Sequence, residues 1–223
     1  MIIRSSYSLL SGVVPEFDQL TIKNEPMLFN CDYEHALELG GPVTKTVLSN
    51  LPRDWRDVPL VIDSRVHMLM PGWIPCIPGW HHDDVPRTRE DGQPNYGPDQ
   101  PRSQHIVCLL NGDICPTAFA TGTLDFAMPG LGKVIYGELH EVVEQAIHDG
   151  HLTLSHAPSN RLVLFDDRTW HTGTSALSNG WRFFIRISRY FSPAGQPIAR
   201  GNERTNELRR QVQVYLPAVN GGW

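Results

Sequence analysis

The chain has 223 residues, a formal net charge of −5, 40% hydrophobic residues and 19% charged residues. That length is enough for one domain with a sizeable core, and the acidic balance gives no sequence-independent grip on a phosphate backbone, which argues against long nucleic acid as a partner. The 18 Pro and 19 Gly exceed what a helix bundle tolerates and point to short strands joined by punctuated loops.

No run of about 18 apolar residues occurs, so no membrane span is expected. Met1-Ile2-Ile3-Arg4 opens without the apolar stretch of a signal peptide, so the expectation is a soluble, cytoplasmic protein. Cys31, Cys76, Cys108 and Cys115 form no CxxC pair and fit no common zinc spacing; they read as free, buried thiols.

Taken in order, residues 1–58 read as an α/β lead-in without a catalytic constellation. Asp32 can cap a short helix through Glu34, Ala36, Leu37 and Leu39, stopped by Gly40-Gly41-Pro42, and residues 43–50 suit another helical turn. From about residue 59 the texture changes to strands. Leu60-Val61-Ile62 and Val66 to Met70 are apolar runs separated by Asp63-Ser64, with His67 as a core strand histidine. Pro71, Pro75 and Pro78 then force an irregular approach to Trp80-His81-His82-Asp83-Asp84.

The polar stretch 85–104 reads as a lid, a specificity loop or a mobile insertion. Strands resume at His105–Leu110 and Thr117–Ala120. The clearest helix runs from Gly137 to Asp149, with a stripe of Leu139, Val142, Val143, Ala146 and Ile147 that leaves His140 and His148 on the surface. A buried strand at Arg161–Phe165 leads to His171. Residues 181–188 alternate, with Trp181, Phe183, Ile185 and Ile187 on one face and Arg182, Phe184, Arg186 and Ser188 on the other. Residues 193–223 read as a tail with one late strand at Val212–Leu216, its arginines (Arg204, Arg209, Arg210) solvated. With no repeats or linkers, residues 1–223 are expected to form a single domain around a core of about 59–192.

The chemistry gathers at two places. An imidazole and a carboxylate two residues apart share one side of an extended strand, so His81 with Asp83, or His82 with Asp84, can grip one face of a metal ion. His171, after its buried strand, suits a third ligand. Two histidines and one carboxylate leave the opposite coordination positions open, as in non-haem Fe(II) oxygenases. Two arginines on one strand face just beyond offer bidentate partners for a carboxylate.

On His-x-Asp at 81–84, the distal His171 in Phe165-Asp166-Asp167-Arg168-Thr169-Trp170-His171, and Arg182 in Asn179-Gly180-Trp181-Arg182, the sequence resembles the Fe(II)/2-oxoglutarate-dependent dioxygenases, most closely the phytanoyl-CoA-hydroxylase-like branch. The resemblance covers roughly residues 60–190. It implies a mainly β fold with flanking helices, a double-stranded β-helix or cupin-like jelly roll. It implies Fe(II) held by His81, Asp83 and His171, with 2-oxoglutarate and O2 consumed and succinate and CO2 released. Trp80 before His81 favours the first ligand pair, because the family often carries an aromatic residue there. Arg182 stands at the branch's spacing for the far carboxylate of 2-oxoglutarate. Arg186 is the runner-up, or else meets a substrate carboxylate or a buried aspartate. Thr117 and Gln104 lie where the family places cosubstrate hydrogen-bond donors.

The implied reaction is hydroxylation of a small molecule, an amino-acid or natural-product intermediate first and a nucleobase left open. Desaturation and cyclisation remain open, whereas the retained aspartate speaks against halogenation. Trp73, Trp80, Arg87, Arg89 and Arg102 suggest an anionic or flat substrate. The competing readings are a cupin-type metal enzyme that uses no 2-oxoglutarate and a non-catalytic jelly-roll binding protein. Oligomeric state is not legible.

Overall fold

The computed structural model of the protein describes residues 1–128, 135–200 and 205–216. The chain opens with strands Ile2–Ser5 (β1) and Tyr7–Val13 (β2), helix Gln19–Lys23 (α1) and the short strand Leu28–Phe29 (β3). Helices Tyr33–Leu39 (α2), Pro42–Ser49 (α3) and Arg53–Arg56 (α4) precede the long strand Val61–Leu69 (β4). Then come Arg102–Leu110 (β5), Thr117–Asp125 (β6), helix Ile135–His148 (α5), Leu152–His156 (β7), Arg161–Asp166 (β8), Trp170–Gly173 (β9) and Gly180–Phe191 (β10). Pro197–Ile198 (β11) and Glu207–Leu208 (β12) complete the strands.

Among the described residues the strands form two main antiparallel sheets and a two-stranded sheet of β3 and β12. The larger runs β4-β10-β5-β8-β2, with β11 beside the end of β10. In the smaller, β7 lies on one edge of β6, while β9 and β1 follow one another along the other edge. A backbone bridge from His81 to His171 extends this sheet beyond β9. This is the jelly-roll arrangement of mainly β folds, with helices flanking it.

Side-chain parity decides what each face meets. Phe183, Ile185 and Ile187 of β10 join Ile106, Cys108 and Leu110 of β5 in a core that packs the larger sheet against α1–α4. Outside the smaller sheet, Ala118, Ala120 and Trp170 pack with Leu139, Val143 and Ala146 of α5. Between the sheets, Val107, Leu109, Phe119, Val163 and Phe165 fill one part of the interior, with Phe184 against them. Asp63, Arg65 and His67 of β4 and Arg182 and Arg186 of β10 add a polar part to the interior.

Asp32 caps α2 as expected, its carboxylate accepting from the His35 amide at 2.9 Å. Pro42 does not merely stop that helix; it starts α3 from the first-turn position, where its missing N–H costs nothing. Several expectations are corrected. Residues 2–13 belong to both sheets rather than to a lead-in. Residues 61–69 form one strand, because Asp63 and Ser64 are buried inside it with hydrogen-bond partners: Ser64 accepts from the Leu28 amide at 2.8 Å and Asp63 from the Asn30 amide at 3.2 Å.

In the tail, residues 212–216 contribute only a bridge from Tyr215 to Ile74, while β12 pairs with β3. Arg209 is not solvated: it reaches Asp63 at 3.4 Å and lies 4.6 Å over the Phe29 ring. Arg204 lies outside the described residues. The four cysteines are free, three of them buried and Cys76 half-buried. Among the described residues no helix is long and apolar enough to cross a membrane.

Candidate metal centre

The His81–His171 bridge brings together residues far apart in the chain. Each backbone amide donates to the other's carbonyl, at 3.1 and 3.2 Å, so the two residues stand directly opposite and project to the same face. Their rings lie 4.5 Å apart, centroid to centroid. Asp83, two positions on, returns to that face, and one ligand atom from each of His81, Asp83 and His171 lies within 4.8 Å of the others. Asp83 Oδ2 is 3.2 Å from His171 Nε2.

The surroundings suit a cation. His81 Nδ1 is 2.9 Å from the Gly79 carbonyl and His171 Nδ1 is 2.9 Å from the Thr169 carbonyl. A carbonyl only accepts, so each Nδ1 donates its proton there and Nε2 is the ring atom left to act as a ligand, with His171 Nε2 facing Asp83. Burial, reinforced by neighbouring His171, lowers His81 to about 4, which keeps it neutral as a ligand must be. Burial would raise Asp83, but Arg186 and His171 outweigh it and hold the carboxyl well below its ordinary value. Two imidazoles and one carboxylate on one face fit a divalent transition metal of the facial-triad kind.

His82 takes the opposite face, and the turn at Asp84 breaks the alternation. His82 stacks on Trp170 with ring centroids 3.6 Å apart, and its Nδ1 meets the Tyr96 hydroxyl at 2.8 Å. Asp84, in the left-handed region at φ 54°, accepts from Tyr190 at 2.8 Å and pairs with Arg200 at 3.4 Å.

Arg182 is 2% exposed. Its Nη2 donates to Thr117 Oγ1 at 3.3 Å, and among the described residues its Nε is buried without a hydrogen-bond partner. Burial lowers its pKa, yet arginine stays charged, so among the described residues this end of the interior holds a cation without a matching carboxylate. Thr117 lies beside Arg182. Arg186 is engaged otherwise: Nη1 meets Asp83 Oδ2 at 2.6 Å, and Asp83, Asp84 and Asp63 raise its pKa despite its burial.

Gln104 is not in this group. It lies on the outward face of β5, where its side-chain oxygen accepts from Arg189 at 2.8 Å, and Arg189 stacks on Trp55. Of the suggested substrate residues, Arg89 pairs with Asp91 and Arg102 with Asp166 and Asp167. Arg87 meets the Gly92 carbonyl and the Tyr136 ring. Trp73 is half-buried and packs against Leu69 and Cys115.

Trp80 is buried against α5, where its Nε1 donates to Glu144 at 2.6 Å and its amide approaches His140 Nδ1 at 3.4 Å. His140 is thus half-buried beside the segment that carries Trp80 and His81; the helical stripe puts it off the core but cannot show the segment that docks beside it. Tyr96 is equally hidden in a polar stretch. That stretch is internally tied, with Thr88 donating to Gln100 at 2.6 Å and Asn95 to the Pro86 carbonyl at 2.7 Å.

No protein-family model matches the chain, and no curated protein matches it. Among solved structures it is similar to EctD from S. alaskensis in its apoform, with 15% identity, 93% of this chain and 81% of that chain covered, and a TM-score of 0.46. It is also similar to HygX from Streptomyces hygroscopicus with nickel and 2-oxoglutarate bound, at 14% identity, 85% of each chain and a TM-score of 0.38. A third is EvdO2 from Micromonospora carbonacea var. aurantiaca complexed with 2-oxoglutarate, at 11% identity, 92% of this chain, 81% of that chain and a TM-score of 0.37.

Proposed function

We propose that the chain, as one catalytic domain, is an Fe(II)- and 2-oxoglutarate-dependent oxygenase that oxidises a C–H bond of a small molecule. The carrying observation is the pairing of two features in one interior: the inward cluster His81, Asp83 and His171, and the buried, unmatched guanidinium of Arg182. The first fits Fe(II) with open positions; the second fits the far carboxylate of a keto acid whose near end chelates the metal.

What the bound ion and keto acid supply is oxidation: 2-oxoglutarate and O2 become succinate and CO2, and one oxygen atom goes to the substrate. The chain's own residues supply position. In His81 and His171, Nε2 is the ring atom left to act as a ligand because backbone carbonyls hold their Nδ1 protons. Arg186 holds Asp83 by one oxygen and so fixes the carboxylate's orientation. Arg182 and Thr117 orient the cosubstrate, and Phe119 and Phe165, with centroids 6.0 and 5.0 Å from the His171 ring, keep water from that side.

The test is spectroscopic. Metal-free protein given Fe(II) and 2-oxoglutarate without oxygen is expected to develop the weak visible band of the chelate, and to release succinate once air is admitted. Iron binding with neither band nor succinate favours a cupin-type enzyme that uses no 2-oxoglutarate; failure to bind iron favours a binding protein.

A further inference from the structure

The interior faces of β4 and β10 carry more positive charge than their carboxylates match. In register, β10 sets Arg182, Phe184 and Arg186 opposite His67, Arg65 and Asp63 of β4. Arg186 is matched by Asp83 at 2.6 Å. Asp63 is shared between Arg209 at 3.4 Å and Arg186 at 3.9 Å. Two guanidiniums are left, Arg182 and Arg65; among the described residues neither has a carboxylate at ion-pair distance. Both lie over the same ring: Cζ is 5.9 Å from the Phe184 centroid for Arg182 and 5.8 Å for Arg65.

Arg65 is half-buried and makes no hydrogen bond among the described residues, so its planar fork of N–H donors is unused. Burial, with Arg209 and Arg186 nearby, outweighs the pull of Asp63 and disfavours its charge, but an arginine does not discharge. His67 adds no charge of its own, since burial and the adjacent Arg182 and Arg65 lower it to about 3. An uncompensated guanidinium in a partly desolvated interior is costly until an anion meets it.

We infer that Arg65 binds a carboxylate of the substrate, so that the enzyme acts on small organic acids. The inference rests on the proposed function in one respect: with Arg182 occupied by 2-oxoglutarate, Arg65 is left for the second molecule. One unmatched guanidinium beside a neutral imidazole suits a single negative charge. A bidentate fork held against an aromatic ring also fixes orientation, so Arg65 would set which C–H bond faces the metal.

The experiment uses Zn(II)-loaded full-length protein, diamagnetic and unreactive, with and without saturating 2-oxoglutarate. Fluorine NMR follows two matched probe pairs, trifluoroacetate with trifluoroacetamide and 4-fluorobenzoate with 4-fluorobenzamide. 2-Oxoglutarate affinity is measured separately by calorimetry. In the wild type with 2-oxoglutarate bound, at least one acid is expected to bind and its amide not. Arg65→Gln is expected to weaken the acid about tenfold or more while 2-oxoglutarate affinity stays within about twofold, which also shows that the variant is folded; Arg65→Lys, keeping the charge, should recover part of the acid's binding.

Acid and amide binding alike, or acid binding unchanged in Arg65→Gln, overturns the inference. So does a matching loss of 2-oxoglutarate, which would place Arg65 with the cosubstrate. A wild type that prefers acids yet binds no 2-oxoglutarate refutes the proposed function and leaves Arg65 as an acid-binding residue.

Discussion

Within four residues the chain presents the same two side-chain types twice, His81 with Asp83 and His82 with Asp84, and the pairs end in different surroundings. The inward pair faces His171 and Arg186 with its Nδ1 proton taken by a carbonyl. The second pair is spent on packing and ties: His82 on Trp170 and Tyr96, Asp84 on Tyr190 and Arg200. Residue type alone does not make a ligand. What separates the pairs is which face the partner strand imposes and whether the second nitrogen is held by an acceptor.

Breaking the inward side should have the largest effect. His171→Ala or Asp83→Ala is expected to lower Mn(II) affinity, read by EPR titration, by more than the roughly 10- to 100-fold typical of losing an outer hydrogen-bond partner, and to abolish succinate release. His82→Ala is expected to bind Mn(II) as the wild type does but to unfold about 1–3 kcal/mol more easily in urea. Wild-type metal binding in His171→Ala would falsify the assignment of the inward face.

The two arginines sharpen the contrast one step further out. Arg182→Ala should raise the dissociation constant for 2-oxoglutarate about 10- to 100-fold with metal affinity intact, since a charged hydrogen bond contributes about 1.5–3 kcal/mol. Arg186→Ala should do the reverse, weakening the metal about 10- to 100-fold through Asp83. Calorimetry on both variants separates these outcomes.

Acid should act on the interior as a whole. His67 at about 3 and His105 at about 4 lie below the ordinary 6.5, chiefly through burial. The unfolded chain therefore binds more protons than the folded one as pH falls below 6.5. Their contribution to stability is complete above that value and is lost as pH drops toward 4 and below. The urea midpoint of metal-free protein should fall across that interval, and His105→Gln should flatten the decline. The smallest effect is expected from Glu144→Gln, which weakens the Trp80 contact by about 0.5–1.5 kcal/mol and leaves Mn(II) affinity unchanged.

Much of this is legible in the sequence because strands write their faces with a period of two. The alternation through residues 181–188 puts Arg182 and Arg186 on one side, and they do face the interior with Asp83 and Thr117. The choice between His81 and His82 is not decidable from parity, since either pair fits and only the register against His171 separates them. Gln104 misleads for a related reason: the run after it, His105 to Leu110, is buried on both faces and carries no alternation to say which way a side chain points. Asp63-Ser64 looks like a break because polar residues usually end strands; here β3 and Arg209 provide their partners. The edge strands of residues 2–13 carry exposed Ile2, Leu9 and Val13, so their pattern is too weak to read.

The His81–His171 bridge also bears on the order in which the molecule assembles. It closes a loop of 90 residues (171 − 81), and such closure is entropically unfavourable until the intervening strands have paired. The metal-binding face should thus be completed late in folding. A bound ion would then slow unfolding while leaving the folding rate almost unchanged. Stopped-flow chevrons recorded with and without Zn(II) should differ in the unfolding arm; a faster folding arm would mean that the two histidines meet early.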